Sequence, residues 1–350
     1  MHNDWWAREK ATPGIARSGR AADHYQRFRD DFALAKALSH NAHRLSLEWS
    51  RIEPTRGAWN EQELAHYRAV LRELEQLNLA SFVTLHHFTD PVWLAQQGGW
   101  ENPEAPILFQ RYVEKVVDEL GGLVQFWITI NEPIVYALQA YWEGSWPPQK
   151  KRNWRSMQKV IRHLARAHTL AYRVIHHVLP QAKVGIAQHF IAGLSPFQSW
   201  RFHHRFLRTT AGTHDFLGVN YYFSRRRKTW PGPRSDMDWP IDPAGLTQVL
   251  LSLRSYGLPI YITENGVADS KDRLRGDFIR DHLRAIEKAQ AEGADVRGYL
   301  YWSLLDNFEW QHGFAPRFGL VEVDYETMER RVRSSAYAYK AIIEQARQPV

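Results

Sequence analysis

The chain has 350 residues, 44% of them hydrophobic and 24% charged, a composition able to build a large core in one domain. No apolar run reaches the roughly 18 residues of a membrane span, and the absence of cysteine excludes disulfides and thiolate-bound metals. Lysine and arginine outnumber aspartate and glutamate by 45 to 38, but the excess reads as dispersed. Its one dense run, Arg225 to Lys228, is too short to predict a nucleic-acid partner. The opening MHNDWWAREK has no apolar core of a secretion signal, so the expected location is cytoplasmic, without a membrane partner.

In chain order the pattern predicts helix over 23–39, strand over 42–48, helix over 61–77, strand over 80–86, helix over 104–120 and strand over 124–130. Helix 155–178 and strands 183–189 and 215–221 follow, then helix 244–256, strand 259–263, helix 276–292, strand 297–303 and helix 333–346. Gly and Pro mark the joins, and no linker or low-complexity segment divides the chain, so residues 1–350 read as a single domain. Strands alternating with helices predict a parallel sheet. A doubly wound sheet would carry a glycine-rich phosphate loop after an early strand, and none occurs. The expected fold is a (β/α)8 TIM barrel. Only seven strands are legible, and the missing one should precede residue 42.

The predicted strands end in residues able to do chemistry. Arg44 lies in the first; His86, His87 and Asp90 follow the second; Asn131 and Glu132 follow the third. Asn220, Tyr221 and Tyr222 close a later one, Glu264 the next, and Trp302, Asp306, Glu309 and Trp310 follow the last. In a barrel such strand ends share one mouth. Two glutamates there suit glycoside hydrolysis, which needs two carboxyl groups flanking one bond, about 5–5.5 Å apart in a retaining enzyme and roughly 6.5–9.5 Å apart in an inverting one. The 15 Trp and 15 Tyr suit sugar rings, whose faces are apolar. The adjacent pairs His86–His87, His176–His177 and His203–His204 do not predict a metal, because neighbours on a strand or helix point in different directions. No metal and no cofactor is expected. Gly266 is read as letting the chain turn away after Glu264.

Six segments in order, RLSLEWSRIEP (44–54), TLHHFTDPVWL (84–94), GGW (98–100), WITINEP (127–133), YITENG (261–266) and YWSLLDNFEWQHGF (301–314), resemble glycoside hydrolase family one, the family of retaining β-glucosidases and β-galactosidases. The resemblance implies a retaining exo-β-glycosidase working by double displacement on a small-molecule β-glycoside, with β-D-glucosides first and β-galactosides or β-fucosides also plausible. It implies Glu132 as acid/base and Glu264 as nucleophile, with Arg44 and Tyr222 hydrogen-bonding the nucleophile. It further implies His87, Phe88, Asn131, Asn220, Trp302, Glu309 and Trp310 around the sugar. Relatives that cleave 6-phosphoglycosides lack a carboxylate at the position of Glu309, so its presence implies an unphosphorylated sugar.

Two departures qualify the resemblance. The family's first strand, with its sugar-binding Gln, has no counterpart here, and region 190–215 is short for the family. A gap in the barrel leaves unpaired backbone to be covered by water, another segment or a second copy of the chain in a homo-oligomer. It predicts mobility or shielding of segment 1–25 and strand 42–48. The alternative function is a sugar-binding barrel that has become weak or inactive.

Overall fold

A computed structural model describes residues 2–225 and 230–347; most of the basic run read at Arg225 to Lys228 lies outside them. All seven predicted strands form: β1 (Ala42–Ser46), β2 (Ala80–His86), β3 (Phe126–Asn131), β4 (Lys183–Ala192), β5 (Phe216–Ser224), β6 (Ile260–Asn265) and β7 (Val296–Tyr301). They make one sheet in the order β1 to β7. Three neighbouring pairs run parallel, with Phe82 beside Phe126 between β2 and β3, Phe126 beside Lys183 between β3 and β4, and Ile260 beside Val296 between β6 and β7. This is the strand order of a (β/α)8 barrel without its first strand. Among the described residues no strand precedes β1; residues Asp4–Ala11 are a helix. The inner strands are buried along most of their length, whereas every residue of β1 and most of β7 are half-exposed. A short antiparallel pair, β8 (Val321–Val323) and β9 (Arg330–Val332), lies outside the predicted elements.

The chain divides into two compact units. The first comprises residues up to Arg17, Arg44–His189 and Trp200–Gly218. Its helices follow their sequence signals. Asn60 accepts hydrogen bonds from the Gln62 and Glu63 amides and so starts helix Glu61–Gln76. Helix Ala105–Leu120 opens on Pro106, where a missing N–H costs nothing, and buries Leu108, Phe109, Tyr112, Val113, Val116 and Val117 at helical spacing. Trp49 stacks on Tyr112 at 5.0 Å.

Asp90, just after β2, ties this unit together. Its carboxylate accepts from Trp100 Nε1 at 2.9 Å and Tyr136 Oη at 2.8 Å, and lies 3.0 Å from His86 Nε2. The chain start docks on the same loop: the Asp4 amide donates to the Asp90 carbonyl, the Asp90 amide to Asp4 Oδ1, and the Val92 amide to the His2 carbonyl. Burial, followed by the charge of Asp90, holds the Asp4 carboxyl well above the usual range.

The second unit comprises Ser18–His43, Phe190–Ser199 and the chain from Val219 onward. Its core gathers Phe278, Leu320, Val321, Val323 and Tyr339. Asp306, one of the rim residues read as chemically capable, is fully buried and structural. Its carboxylate takes Arg333 Nη1 and Nη2 at 3.0 and 2.9 Å, the Gly319 amide at 2.8 Å and Arg317 Nη1 at 3.3 Å. Removing one member of such a cluster leaves buried guanidinium charge uncompensated. Asp306→Ala is expected to lower folding stability by about 3–5 kcal/mol. The midpoint of urea denaturation checks this; a shift equivalent to a surface substitution would refute it.

Candidate active site

In the first unit the site residues form a chain of hydrogen bonds. Arg44, on β1, donates from Nη2 to Asn131 Oδ1 at 2.6 Å and from Nε to Thr84 Oγ1 at 3.2 Å. Arginine has only donors, so the Asn131 atom facing it is the carbonyl oxygen. The Asn131 amide nitrogen then faces His87 Nε2 at 3.2 Å, which makes Nε2 an acceptor. The imidazole proton therefore sits on Nδ1, 3.0 Å from Ser46 Oγ. Burial, then the charge of Arg44, lowers the His87 pKa well below its usual value and keeps the ring neutral. His86 points the other way, into the Asp90 cluster, so the two histidines share no ligand. Among the described residues no group of His, Asp and Glu is arranged to hold a metal ion.

Glu132 directly follows β3. Its backbone is left-handed (φ 43°), a conformation that costs energy for any residue with a Cβ. Its amide is anchored on the Ala187 carbonyl of β4 at 2.7 Å, and the Tyr136 amide returns to its carbonyl as helix Pro133–Leu138 begins. The carboxyl group is buried, and its Oε1 is 3.6 Å from His189 Nδ1 on β4. Burial lowers the His189 pKa to about 4, so this neighbour is neutral near pH 7. Phe88, also left-handed (φ 71°), is buried between His87 and Trp146, with ring centroids 4.9 and 4.5 Å away.

In the second unit Glu264 is near the end of β6 and is buried. Tyr222 Oη donates to its Oε2 at 2.6 Å. The next residue, Asn265, staples three strands: its Nδ2 donates to the Tyr221 carbonyl of β5 at 2.6 Å, and its Oδ1 accepts from Tyr299 Oη of β7 at 2.9 Å. Asn220 is fully buried and accepts from Thr263 Oγ1 at 2.7 Å. Gly266 corrects an expectation. Its backbone is not left-handed; instead a Cβ there would lie 1.8 Å from the Trp302 carbonyl oxygen. Glycine is required by that close approach, not by a turn.

Glu309 is the electrostatic outlier. Burial, then the negative charge of Glu264, pushes its pKa up to about 8, against an opposing hydrogen bond from the Trp302 side chain. Its Oε2 is shut off from solvent and has no hydrogen-bond partner among the described residues. Trp302 and Trp310 are half-buried.

The structure thus places Arg44, His87, Phe88, Asn131 and Glu132 in one unit, and Asn220, Tyr222, Glu264, Trp302, Glu309 and Trp310 in the other. His189 and Trp146 are neighbours that the sequence reading missed. His189 closes the predicted strand 183–189, so the strand-end criterion applied there would have found it; nothing in the segment around Trp146 signals its place.

The model of the family described as Glycosyl hydrolase family 1 matches residues 3–199 and 198–348. Beta-glucosidase A of Thermotoga maritima is 30% identical over 97% of this chain and 91% of its own length. A beta-galactosidase of Pyrococcus woesei is 28% identical over 96% and 90%. Among solved structures, a beta-glycosidase from Pyrococcus horikoshii superposes with a TM-score of 0.91 at 35% identity, covering 98% of this chain and 90% of its own.

A raised carboxyl pKa favours folding at low pH. The contribution of Glu309 is full below its unfolded value near 4.5 and is lost as pH rises through about 8. Carboxyl carbon NMR is expected to show one glutamate titrating near 8 that disappears in Glu309→Gln and moves down in Glu264→Gln. A Glu309 titration in the ordinary range would contradict the geometry.

Proposed function

Because the chain belongs to glycosyl hydrolase family 1 and is a glycoside hydrolase, we propose that it is a retaining exo-β-glycosidase of unphosphorylated β-D-glucosides, with β-galactosides and β-fucosides as further substrates. The observation that carries this reading is the pair of glutamates in the second unit. Glu264 is presented by a stapled strand with one oxygen bound by Tyr222, and Glu309 beside it keeps a buried oxygen free to accept a hydrogen bond. A sugar hydroxyl is a donor of the right kind. A phosphate would bring further negative charge against Glu264, whose charge already holds the Glu309 pKa up.

In this reading Glu264 attacks the anomeric carbon while Glu132 protonates the departing oxygen. The Tyr222 hydroxyl steadies the attacking carboxylate, and in the proposal Arg44 does the same. Once Glu264 is esterified it no longer carries charge. Glu132, left as a carboxylate by protonating the departing oxygen, then acts as base toward water and is re-protonated for the next cycle. Asn131 is held by Arg44 and His87 so that its amide can address a sugar hydroxyl, and strengthening of that bond in the transition state contributes to rate. Trp302 and Trp310 offer apolar faces to the ring, Phe88 a wall, and Asn220 supports the Glu264 strand through Thr263.

Turnover of an aryl β-glucoside separates this reading from the weak sugar-binding alternative. Glu264→Ala is expected to fall to background. Glu132→Ala should lose about 10²–10⁴-fold on substrates with poor leaving groups and less on activated ones. The first-formed sugar, followed by NMR, should be the β-anomer. Equal rates for the intact protein and Glu264→Ala would overturn the enzymatic assignment, and an α-anomer would overturn the retaining one.

A further inference from the structure

Between Gly144 and His214 the chain carries twelve lysines and arginines and no aspartate or glutamate, while the rest of it has more acids than bases. Helix Trp154–Val178 runs through this stretch, within the first unit. It buries Met157, Val160, Leu164 and Ala171. On the other side Arg155, Lys159, Arg162, Arg166 and Arg173 are exposed, at steps of four, three, four and seven residues, which align them on one face. At a rise of 1.5 Å per residue the stripe is about 27 Å long.

Like charges at this spacing repel and weaken a helix, and the helix holds no acid to relieve them. The packed neighbour, helix Ala105–Leu120, offers Glu114, Asp118 and Glu119. Glu119 is taken by Arg68 and Lys115, and Glu114 by Gln110. Glu101, which feels the charge of Lys159, is held by Lys150 and Ser156. Among the described residues no ion pair joins the stripe to any acid.

At its N-terminal end the stripe meets exposed aromatic side chains. Trp142 and Trp154 are 38% and 39% exposed and stand edge to face at 6.3 Å; Trp200 is 44% exposed. The Arg201 guanidinium lies over the Trp154 ring at 4.2 Å. An apolar groove lined by Leu138, Met157, Ile161 and Phe202 opens beside them, with Arg201 and Arg205 among its walls.

We propose that this face is a docking surface for an anionic lipid bilayer. The arginine stripe lies flat against lipid phosphates, and the tryptophans seat at headgroup level, where rings with one polar atom are favoured. A nucleic acid would share the charge requirement but would use open aromatic faces for stacking. Here Arg201 covers one face of Trp154, and Trp142 and Trp154 pack edge to face on each other rather than lying open as a stacking platform. The association is peripheral: among the described residues no helix is long and apolar enough to cross a membrane.

Co-sedimentation with vesicles tests it, using phosphatidylcholine alone and phosphatidylcholine containing about one-third phosphatidylglycerol. The protein is expected to bind only the anionic vesicles and to release as salt rises. The triple variant R162S/R166S/R173S should bind on the order of a hundredfold more weakly, at about 1 kcal/mol per cation. W142S/W154S should lose the binding that survives at moderate salt. All substituted positions are exposed and outside the candidate active site, so unchanged aryl-glucoside turnover and circular dichroism report intact folding. Equal binding to neutral vesicles, salt-insensitive binding, or full binding by the triple variant would overturn the proposal. So would tighter binding to duplex DNA than to anionic vesicles, abolished by the same three substitutions.

Discussion

The amide side chain of Asn265 is the fastening on which the placement of Glu264 in the second unit depends. It donates to β5 and accepts from a tyrosine of β7, and its own strand carries Glu264 one residue earlier. A carboxylate must be held to within a fraction of an ångström to be useful at a reacting carbon. A side chain rooted in a strand that is bolted on both sides meets that demand better than one on a loop. The polar atoms of Asn265 are fully buried, so each hydrogen bond is enforced by the cost of leaving a donor or acceptor unmet.

The first unit solves the same problem differently. Glu132 is placed by a left-handed backbone step between β3 and the helix after it, with its amide fixed to β4. The residue before it, Asn131, is fixed through its side chain by Arg44 and His87. Because arginine can only donate, the whole chain from Arg44 to Ser46 has one orientation and one histidine tautomer. Beneath it, the Asp90 cluster locks the loop after β2 to Trp100, Tyr136 and the first residues of the chain. That docking gives residues 2–4 defined hydrogen bonds to the loop after β2. The half-exposed edges β1 and β7 remain the trace of the absent strand.

Much of this was legible in the sequence. All seven strands and the main helices follow from apolar periodicity and Gly or Pro punctuation, because each element buries one face. Glu132 and Glu264 stand out because charged residues ending apolar strands contradict burial. What could not be read are relations between distant segments. Asp306 resembled a rim acid until Arg333 and Arg317 were seen to enclose it. The elevated pKa of Glu309 arises from burial and a neighbour 45 residues away in sequence. The basic helix face is not marked by any dense run of cations; its signal is a long absence of acids, which only becomes a surface once helical spacing aligns it.

The contact between Gly266 and the Trp302 carbonyl has a genetic consequence. Every residue reachable from a glycine codon by a single base change carries a Cβ, and any Cβ at 266 would overlap that oxygen. The backbone at Trp302 and the backbone just past Glu264 are therefore coupled as one mutational unit. Neither can drift alone, and the lineage of this protein can alter the spacing between them only by moving both strands at once.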